Sequence, residues 1–391
     1  MKFKSAFFLF FIIVSFSCKK ENAPTIIQQP VPQPIVFQPG QTLAISQTTN
    51  MGLPYTLVNA DTVYSAINYN ADMFKAMPTG YENKIVSFYL PKGYMAVFAE
   101  NSDGTGESAC YVAAQSAINA NLPQRLVNNI SFIRYIDIAN CTKKGVASTD
   151  SNSVKLFNTS WYYGWSINRP SFATQQFVPM TWTKGTATIS NVIYLVGRKD
   201  VSHLLSFNEP ENTSQANIPN IDTAINRYKT MMPTGLRLGA PATQQDHVFG
   251  PGDWELNFMI AAQAKGLRVD FIPLHWYDWG NETKTAATDS LTGVAVFSRF
   301  KTYIEAVHTK YPTQKIWLTE FNANVKRTSV VVHRVFMRLS TDWMNGTDYL
   351  ERYSYFFESN LPATDANGKM TELGTYWNNI SSPVSFPSNI E

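Results

Sequence analysis

Two short apolar runs that each lead into a glutamate constrain the fold of this chain most strongly. Residues 204–210 (LLSFNEP) carry Glu209, and residues 315–321 (KIWLTEF) carry Glu320. A buried strand of a parallel barrel has this pattern when it presents a polar side chain at the carboxyl-end rim of the barrel. Two carboxylates on one such rim are the pair that a glycosidase uses, so the runs predict a barrel with a catalytic carboxylate pair.

Strand-like and helix-like segments alternate around these runs. The strand-like segments are residues 192–195, 204–206, 236–239, 269–274, 316–318 and 353–357. The helix-like segments are residues 224–231, 254–264, 297–308 and 330–344. This alternation predicts an α/β fold, a (β/α)8 TIM barrel over residues 155–385.

The amino-terminal segment predicts export. Two lysines in the first four residues precede an apolar run at residues 7–14, which is too short to span a bilayer. This pattern is typical of a signal peptide, here residues 1–17. The small Ser17 before Cys18 resembles the cleavage site of bacterial lipoproteins. That resemblance implies lipid on Cys18 and an exported outer-membrane lipoprotein, on the periplasmic or the cell-surface side. A plain signal peptide with an incidental Cys18 is the alternative.

A linker and a β-rich segment precede the predicted barrel. Residues 18–50 are rich in Gln, Pro and Thr and predict an extended tether. Residues 51–142 predict an all-β sandwich, with strand-like runs at 85–90 and 130–136. Residues 143–150 are small and polar and predict a second linker.

A weak internal repeat in residues 51–142 resembles the double Greek key of βγ-crystallins. Its two copies end in similar strings at residues 83–87 and 128–131. The resemblance implies a Greek-key domain, with a plain β-sandwich as the alternative. The calcium-binding strings of that family are interrupted here by Glu82, Val86 and Phe132. We therefore expect no calcium binding.

Cysteine use and charge limit the other possibilities. If Cys18 carries lipid, Cys110 and Cys141 are left as a possible disulfide, and two unpaired buried thiols are the alternative. A net charge of +3 is too small to favour nucleic acid as a partner. The five His residues are scattered without metal-ligand spacing, and no phosphate loop or G-x-S-x-G elbow occurs. The sequence therefore predicts neither a metal nor a cofactor.

Several strings of the second region together resemble one enzyme family. They are residues 161–165 (WYYGW), 177–182 (FVPMTW), 206–210 (SFNEP), 214–217 (SQAN), 269–277 (VDFIPLHWY) and 317–321 (WLTEF). Over residues 156–380 the chain resembles the catalytic domain of glycoside hydrolase family 128 (GH128), a clan A barrel also described as Asl1-like. Family members often carry Asn where this chain has Gly164. The resemblance implies hydrolysis of β-1,3-glucan.

The same resemblance implies roles for the two carboxylates. Glu209 is expected to be the general acid/base and Glu320 the nucleophile of a retaining reaction. Because a proton donor needs a pKa near or above the working pH, we expect Glu209 to be protonated and Glu320 to be ionised before substrate binds. Asn208 is expected to hydrogen-bond the sugar 2-hydroxyl.

Aromatic and polar residues at strand ends are candidates for substrate contacts. We expect His275 and Tyr277 to hydrogen-bond the sugar or the nucleophile, and Trp276 to stack on sugar. An aromatic core cluster is the alternative for these three residues. Further candidates are Trp161, Trp165 and Trp182, for which core packing is equally open, and the loop residues Trp254 and Trp279.

Two other functions stay open at this stage. The chain could be a catalytically silent glucan-binding lipoprotein, or a clan A β-glycosidase that acts on another linkage. The presence of Asn208, Glu209 and Glu320 disfavours the silent protein. The predicted partners are β-1,3-glucan, as polysaccharide or oligosaccharide, and a membrane reached through the lipid anchor.

The lipid anchor can be tested by one substitution. We expect Cys18→Ala to move the protein from the membrane fraction to the soluble fraction, because the thiol that accepts lipid is lost. Immunoblots of separated membrane and soluble fractions measure the change. Equal membrane partition of the mutant and the wild type would contradict the anchor.

Overall fold

The computed structural model describes residue 37 and residues 40–390. The predicted signal peptide, Cys18 and most of the predicted 18–50 linker lie outside the described residues. Within the described part of the chain, every helix is too short or too polar to cross a membrane.

Two antiparallel sheets form an amino-terminal β region. Its strands are β1 (Leu43–Ser46), β2 (Tyr55–Val58), β3 (Thr62–Ser65), β4 (Phe74–Lys75), β5 (Ser87–Leu90), β6 (Tyr94–Ala99), β7 (Ser108–Val112), β8 (Ile118–Asn121) and β9 (Phe132–Asp137). The sheet orders are β2-β1-β5-β8 and β4-β3-β9-β6-β7, with only the short β3–β4 pair parallel. Apolar side chains such as Ile45, Phe88 and Ile133 pack into one core. Because β1 lies before residue 51, the β region begins earlier than predicted.

The two repeat strings of the β region contact each other reciprocally. The Asn83 amide donates to the Ile130 carbonyl oxygen, and the Asn128 amide donates to the Ile85 carbonyl oxygen, both at 2.9 Å. Both asparagines have left-handed backbone, with φ of 53° and 57°. This pairing gives the internal repeat a structural counterpart. The crystallin-like assignment and the absence of calcium binding stay predictions.

Parallel strands and helices alternate in the carboxyl-terminal α/β region. Its strands are β10 (Lys144–Ala147), β11 (Trp161–Tyr163), β12 (Gln176–Phe177), β13 (His203–Leu204), β14 (Arg237–Leu238), β15 (Phe271–Trp276), β16 (Lys315–Phe321) and β17 (Leu350–Tyr355). Its helices are α1 (Ser151–Leu156), α2 (Ile189–Val196), α3 (Ile221–Met231), α4 (Trp254–Ala264), α5 (Asp289–Lys310), α6 (Val330–Asn345) and α7 (Glu372–Asn379). The predicted alternation is therefore present.

The strand ladders do not confirm the predicted closed barrel. Six strands form the parallel sheet β12-β11-β10-β17-β16-β15, and β13 pairs only with β14. Two isolated parallel bridges connect the β13–β14 pair to the edges of the larger sheet. Met180, after edge strand β12, is bridged to Leu205, after β13. Gly239, after β14, is bridged to Phe271 of the other edge strand, β15. The ladder is interrupted there because β12, β13 and β14 each span only two residues.

Two local predictions in this region were wrong. Residues 192–195, which are strand-like in sequence, lie in α2, where Val192 and Leu195 face the core while Tyr194 stays exposed. The predicted linker 143–150 contains β10, so the α/β region begins before residue 155. Gly145 allows this strand, since a Cβ atom there would lie 2.2 Å from the Trp161 ring.

The β region packs on the α/β region at its amino-end face. The Arg134 side chain is fully buried and donates to the Val196 carbonyl oxygen at 3.1 Å. The Gly106 amide donates to the Gly266 carbonyl oxygen at 2.9 Å. Val196, Gly235 and Gly266 precede the parallel strands β13, β14 and β15, respectively. The β region therefore lies opposite the carboxyl ends of those strands.

The predicted disulfide is not formed. Cys110 and Cys141 are both free thiols. Cys110 lies on β7 of the β region, opposite Val97. Cys141 packs in a different cluster with Trp161 and directs its thiol to the Ser160 carbonyl oxygen at 3.3 Å. The two thiols belong to separate parts of the interior, so the alternative of two unpaired thiols applies.

A glycine substitution tests the contact between the two regions. Gly235 has φ of 60°, and a Cβ atom there would lie 2.2 Å from the Arg134 Cβ atom. We expect Gly235→Ala to lower the free energy of unfolding by about 2–5 kcal/mol, since left-handed strain and overpacking add. Gly252→Ala, at φ of 89° with nothing within 4 Å, should lower it by only about 1–2 kcal/mol. Denaturant unfolding measures both, and equal losses would contradict the close contact.

Candidate active site

Glu320 is buried at the carboxyl end of β16 and accepts three side-chain hydrogen bonds. The Trp165 Nε1 group donates to its Oε1 atom at 2.8 Å, and the Tyr163 hydroxyl donates to the same atom at 3.2 Å. The Tyr277 hydroxyl donates to the Oε2 atom. Donors on both oxygens fix the orientation of the carboxylate.

The two donors to Oε1 come from the end of β11. Tyr163 is fully buried, and burial together with the neighbouring Glu320 holds the pKa of its hydroxyl well above the usual value, so it stays a donor. Trp165 follows with left-handed backbone at φ of 49°. A Cβ atom at the intervening Gly164 would lie 2.6 Å from the Ser148 carbonyl oxygen. This backbone has no room for the asparagine that GH128 members often carry there.

Glu209 lies just beyond β13 in a strained conformation. Its backbone has φ of 42°, and its amide donates to the Ala242 carbonyl oxygen at 2.7 Å. Left-handed backbone at a non-glycine residue persists only where the surrounding structure imposes it. The Oε1 atom lies 2.9 Å from His275 Nδ1, and the Oε2 atom accepts from Asn212 Nδ2 at 3.1 Å.

His275 lies between the two carboxylates. Its Nδ1 atom is bonded to Glu209, and its Nε2 atom lies 3.5 Å from Glu320 Oε1. Burial lowers the pKa of His275, but the charges of Glu320 and Glu209 outweigh it and raise that pKa above the usual value. The two carboxylates therefore favour the protonated form of the imidazole.

The pKa of Glu209 is shifted in the direction opposite to the one predicted from the sequence. Burial raises the pKa of Glu209, but the hydrogen bond and charge of His275 and the bond from Asn212 outweigh burial, and the pKa is lowered. The sequence shows an acid at a strand end but not the histidine that a different strand places against it.

The three groups are close enough to act together. One atom each of Glu209, His275 and Glu320 lie within 4.8 Å of one another. Three ligand atoms at these distances also suit a divalent cation. The sequence does not indicate such a group, because the three residues are far apart along the chain. His275 Nδ1 is bonded to Glu209 and Glu320 Oε1 receives two donors, whereas His275 Nε2, which faces Glu320, is buried without a hydrogen-bond partner.

A model of a known protein family matches the part of the chain that contains this carboxylate site. The model of a family described as the glycosyl hydrolase catalytic core matches residues 140–377. This chain belongs to the glycosyl hydrolase catalytic core family. The match contains both Glu209 and Glu320, and the protein is a glycoside hydrolase.

Solved structures of GH128 enzymes are similar to this glycosyl hydrolase. Two structures of a subgroup I endo-β-1,3-glucanase from Amycolatopsis mediterranei are 30% and 28% identical to it, the second in complex with laminarihexaose. Each has a TM-score of 0.52 and covers 61% of this chain and 100% of its own. A subgroup II endo-β-1,3-glucanase from Sorangium cellulosum shares the fold, at 21% identity, a TM-score of 0.50, and coverage of 61% of this chain and 99% of its own. No curated protein sequence matches.

Three tryptophans predicted as sugar contacts are core residues instead. Trp276 follows inward-facing His275 on the same strand, so alternation directs it outward against Phe300 of α5 and Phe336 of α6. Trp161 is fully buried and donates to the Lys143 carbonyl oxygen. Trp254 begins α4 and stacks on Phe258. The structure thus selects the packing alternative for these three.

The other predicted residues lie near the site or on its border. Trp165 and Tyr277 contact Glu320 directly. The Asn208 side chain donates to Gln215 at 3.1 Å and has its own oxygen buried without a partner. The Asn208 amide donates to the carbonyl oxygen of the partly buried Trp182. Trp279, on the loop after β15, is 44% exposed.

The sequence analysis missed Tyr163 and Asn212. Tyr163 ends β11, so the rule that singled out Glu209 also applies to it. Its position in the WYYGW string, among aromatic residues, conceals its polar role. Asn212 lies in a turn, and its contact with Glu209 has no signal in the sequence.

Substitutions of two tryptophans separate core packing from catalysis. We expect Trp276→Phe to lower the melting temperature and leave kcat/KM within about threefold of wild type, because the side chain faces the helices. Trp165→Phe should instead lower kcat/KM about 10- to 100-fold, since it removes a donor to a charged group. Both quantities are measured on the same preparations. A larger kinetic loss in Trp276→Phe than in Trp165→Phe would contradict these placements.

Proposed function

We propose that this protein is a retaining β-1,3-glucan hydrolase, with Glu209 as the acid/base and Glu320 as the nucleophile. The mechanism is supported by the spacing of the two carboxylates, since one oxygen of Glu209 lies within 4.8 Å of one oxygen of Glu320. Retaining enzymes place these groups about 5–5.5 Å apart, whereas inverting enzymes need about 6.5–9.5 Å to admit a water molecule.

The reaction proceeds by double displacement. Glu320 attacks the anomeric carbon while Glu209 gives a proton to the glycosidic oxygen, so that bond breaks and the leaving sugar departs as an alcohol. Glu209, now ionised, takes a proton from water, and the water oxygen attacks the anomeric carbon. The bond to Glu320 breaks, and the product keeps its original configuration.

His275 supplies the proton that Glu209 needs. The Nδ1 to Oε1 distance of 2.9 Å is that of a hydrogen bond, and the raised pKa of His275 and the lowered pKa of Glu209 both favour the proton on the imidazole side. The pair titrates as one unit, so movement of this proton to Glu209 makes the acid without an exchange with solvent. The three donors on Glu320 hold the nucleophile in place meanwhile.

The substrate class rests on the relatives. The similar structures from Amycolatopsis mediterranei, which cover 61% of this chain, are of an endo-β-1,3-glucanase, one of them with laminarihexaose bound. The isolated bridges on either side of the β13–β14 pair link it to both edges of the larger sheet and so support a (β/α)8 ring as the scaffold. Export and lipid attachment at Cys18 rest on the sequence and are part of the proposal.

Substitution of the two carboxylates tests the assignment. We expect Glu320→Ala to abolish turnover on every substrate, because no covalent intermediate forms. Glu209→Ala should lose about 10²- to 10⁴-fold on β-1,3-glucan and much less on aryl glycosides, which need little protonation in the first step. Azide should restore turnover of Glu209→Ala and yield a β-glycosyl azide. Rates are measured on β-1,3-, β-1,4- and β-1,6-linked glucans.

The exposed Glu305→Ala on α5 is the matched control and should match wild type. An α-azide from Glu209→Ala, or rescue only in Glu320→Ala, would reverse the two roles. An initial product of inverted configuration from the wild type would rule out double displacement. Faster cleavage of another linkage would overturn the substrate and leave the mechanism standing.

A further inference from the structure

Tyr277 reaches the nucleophile from a position where regular strand structure has ended. Strand β15 ends at Trp276, and Asp278 turns the chain with left-handed backbone at φ of 53°. Tyr277 therefore lies between a strand and a sharp turn. Its hydroxyl nevertheless donates to Glu320, so other contacts must hold its backbone.

Two side-chain amides hold that backbone from opposite sides. The Tyr277 amide donates to Gln245 Oε1 at 2.9 Å, and Asn324 Nδ2 donates to the Tyr277 carbonyl oxygen at 2.8 Å. Gln245 belongs to the loop after β14, and Asn324 to the loop after β16. These are the strands on either side of β15, so the two amides replace the backbone bonds of a continued ladder.

Both holding residues are themselves fixed. The amide of Gln244, next to Gln245, donates to Glu211 Oε1 at 2.7 Å, and Glu211 lies two residues after the acid/base. Asn324 is fully buried, and its amide donates to Asn322 Oδ1 at 2.7 Å. Tyr277 is thus tied on one side to the loop that carries Glu209.

The residue after Tyr277 is also fixed. Arg299 donates to both oxygens of the buried Asp278 carboxylate at 2.7 Å, and Arg327 donates to Oδ2 at 3.0 Å. These ion pairs hold the turn, but they do not reach the Tyr277 peptide groups. The two side-chain amides hold the Tyr277 peptide groups, and the ring packs edge-on against Phe356 at 5.8 Å.

We propose that Gln245 and Asn324 are positioning residues for the nucleophile, which hold Tyr277 so that its hydroxyl bonds Glu320. The proposal rests on the proposed function of Glu320. Gln245 acts through its acceptor oxygen, and Asn324 through its donor group. Neither touches the reacting atoms. Their effect on the reaction passes through the Tyr277 hydroxyl, which makes the proposal testable by a double-mutant cycle.

The cycle compares Gln245→Leu, Tyr277→Phe and the double mutant. We expect Gln245→Leu to lower kcat about 10- to 100-fold, as small misplacements of catalytic groups do, with KM within twofold of wild type. Gln245→Glu keeps an acceptor oxygen and should recover most of the lost kcat. In the Tyr277→Phe background, Gln245→Leu should not lower kcat any further. Gln263→Leu, on an exposed part of α4, is the matched control.

Asn324→Asp tests the second residue. It removes the donor to the Tyr277 carbonyl oxygen and keeps the acceptor that receives the Lys326 amide at 2.9 Å. Aspartate also tolerates the φ of 90° at this position, and thermal unfolding of the variant checks that the buried carboxylate leaves the protein folded. We expect a fall in kcat similar to that of Gln245→Leu, and again no further cost in the Tyr277→Phe background.

An NMR measurement tests the proposal without the need for turnover. The Trp165 indole N–H donates to Glu320, so its NMR resonance reports on that carboxylate. Gln245→Leu and Tyr277→Phe should shift this resonance alike, and Gln245→Glu should not. Additive losses in the double mutant, equal losses in Gln245→Leu and Gln245→Glu, or an unmoved resonance would overturn the proposal. Absence of turnover in the wild type would instead overturn the proposed function and leave the NMR test intact.

Discussion

The contact of one buried imidazole with two buried carboxylates is the interaction on which the site depends. Two ionised carboxylates less than 4.8 Å apart would repel each other by about 3.5 kcal/mol at an effective dielectric constant near 20. Burial adds a desolvation cost for each charge. A proton on His275 offsets both effects. The hydrogen bond and charge of His275 also outweigh burial at Glu209 and lower the pKa of that carboxyl.

The scaffold around this cluster holds each carboxylate from different strands. Glu320 receives donors from the ends of β11 and β15, and Glu209 is held in left-handed backbone by its bond to Ala242. Several close approaches make the geometry possible. No side chain fits at Gly164 beside Ser148, and none fits at Gly145 beside the Trp161 ring. The spacing of the carboxylates is therefore a property of the whole rim of strand ends.

The β region packs on the face of the α/β region that lies opposite the site. Its contacts are with Val196, Gly235 and Gly266, which precede strands, whereas Glu209, His275 and Glu320 lie at or beyond strand ends. The carboxyl-terminal segment joins the two regions, since Ile390 pairs with Val112 of β7 while Phe386 stacks against His203 of β13. The β region therefore leaves the active-site face of the α/β region uncovered.

The sequence by itself determined the position of two glutamates at strand ends, the α/β alternation and the β-rich region before it. Those features are local, because a buried strand that ends in a polar residue is a short pattern. It also indicated the family, since several strand-end strings occur in the right order. Tertiary structure decided which face each residue presents. Trp276 and His275 are neighbours in sequence, yet strand alternation sends one to the helices and the other to the carboxylates. The protonation state was likewise decided by the fold, because the pKa of Glu209 depends on a histidine 66 positions away in the chain. Charges and packing act through space, and sequence patterns report only neighbours along the chain.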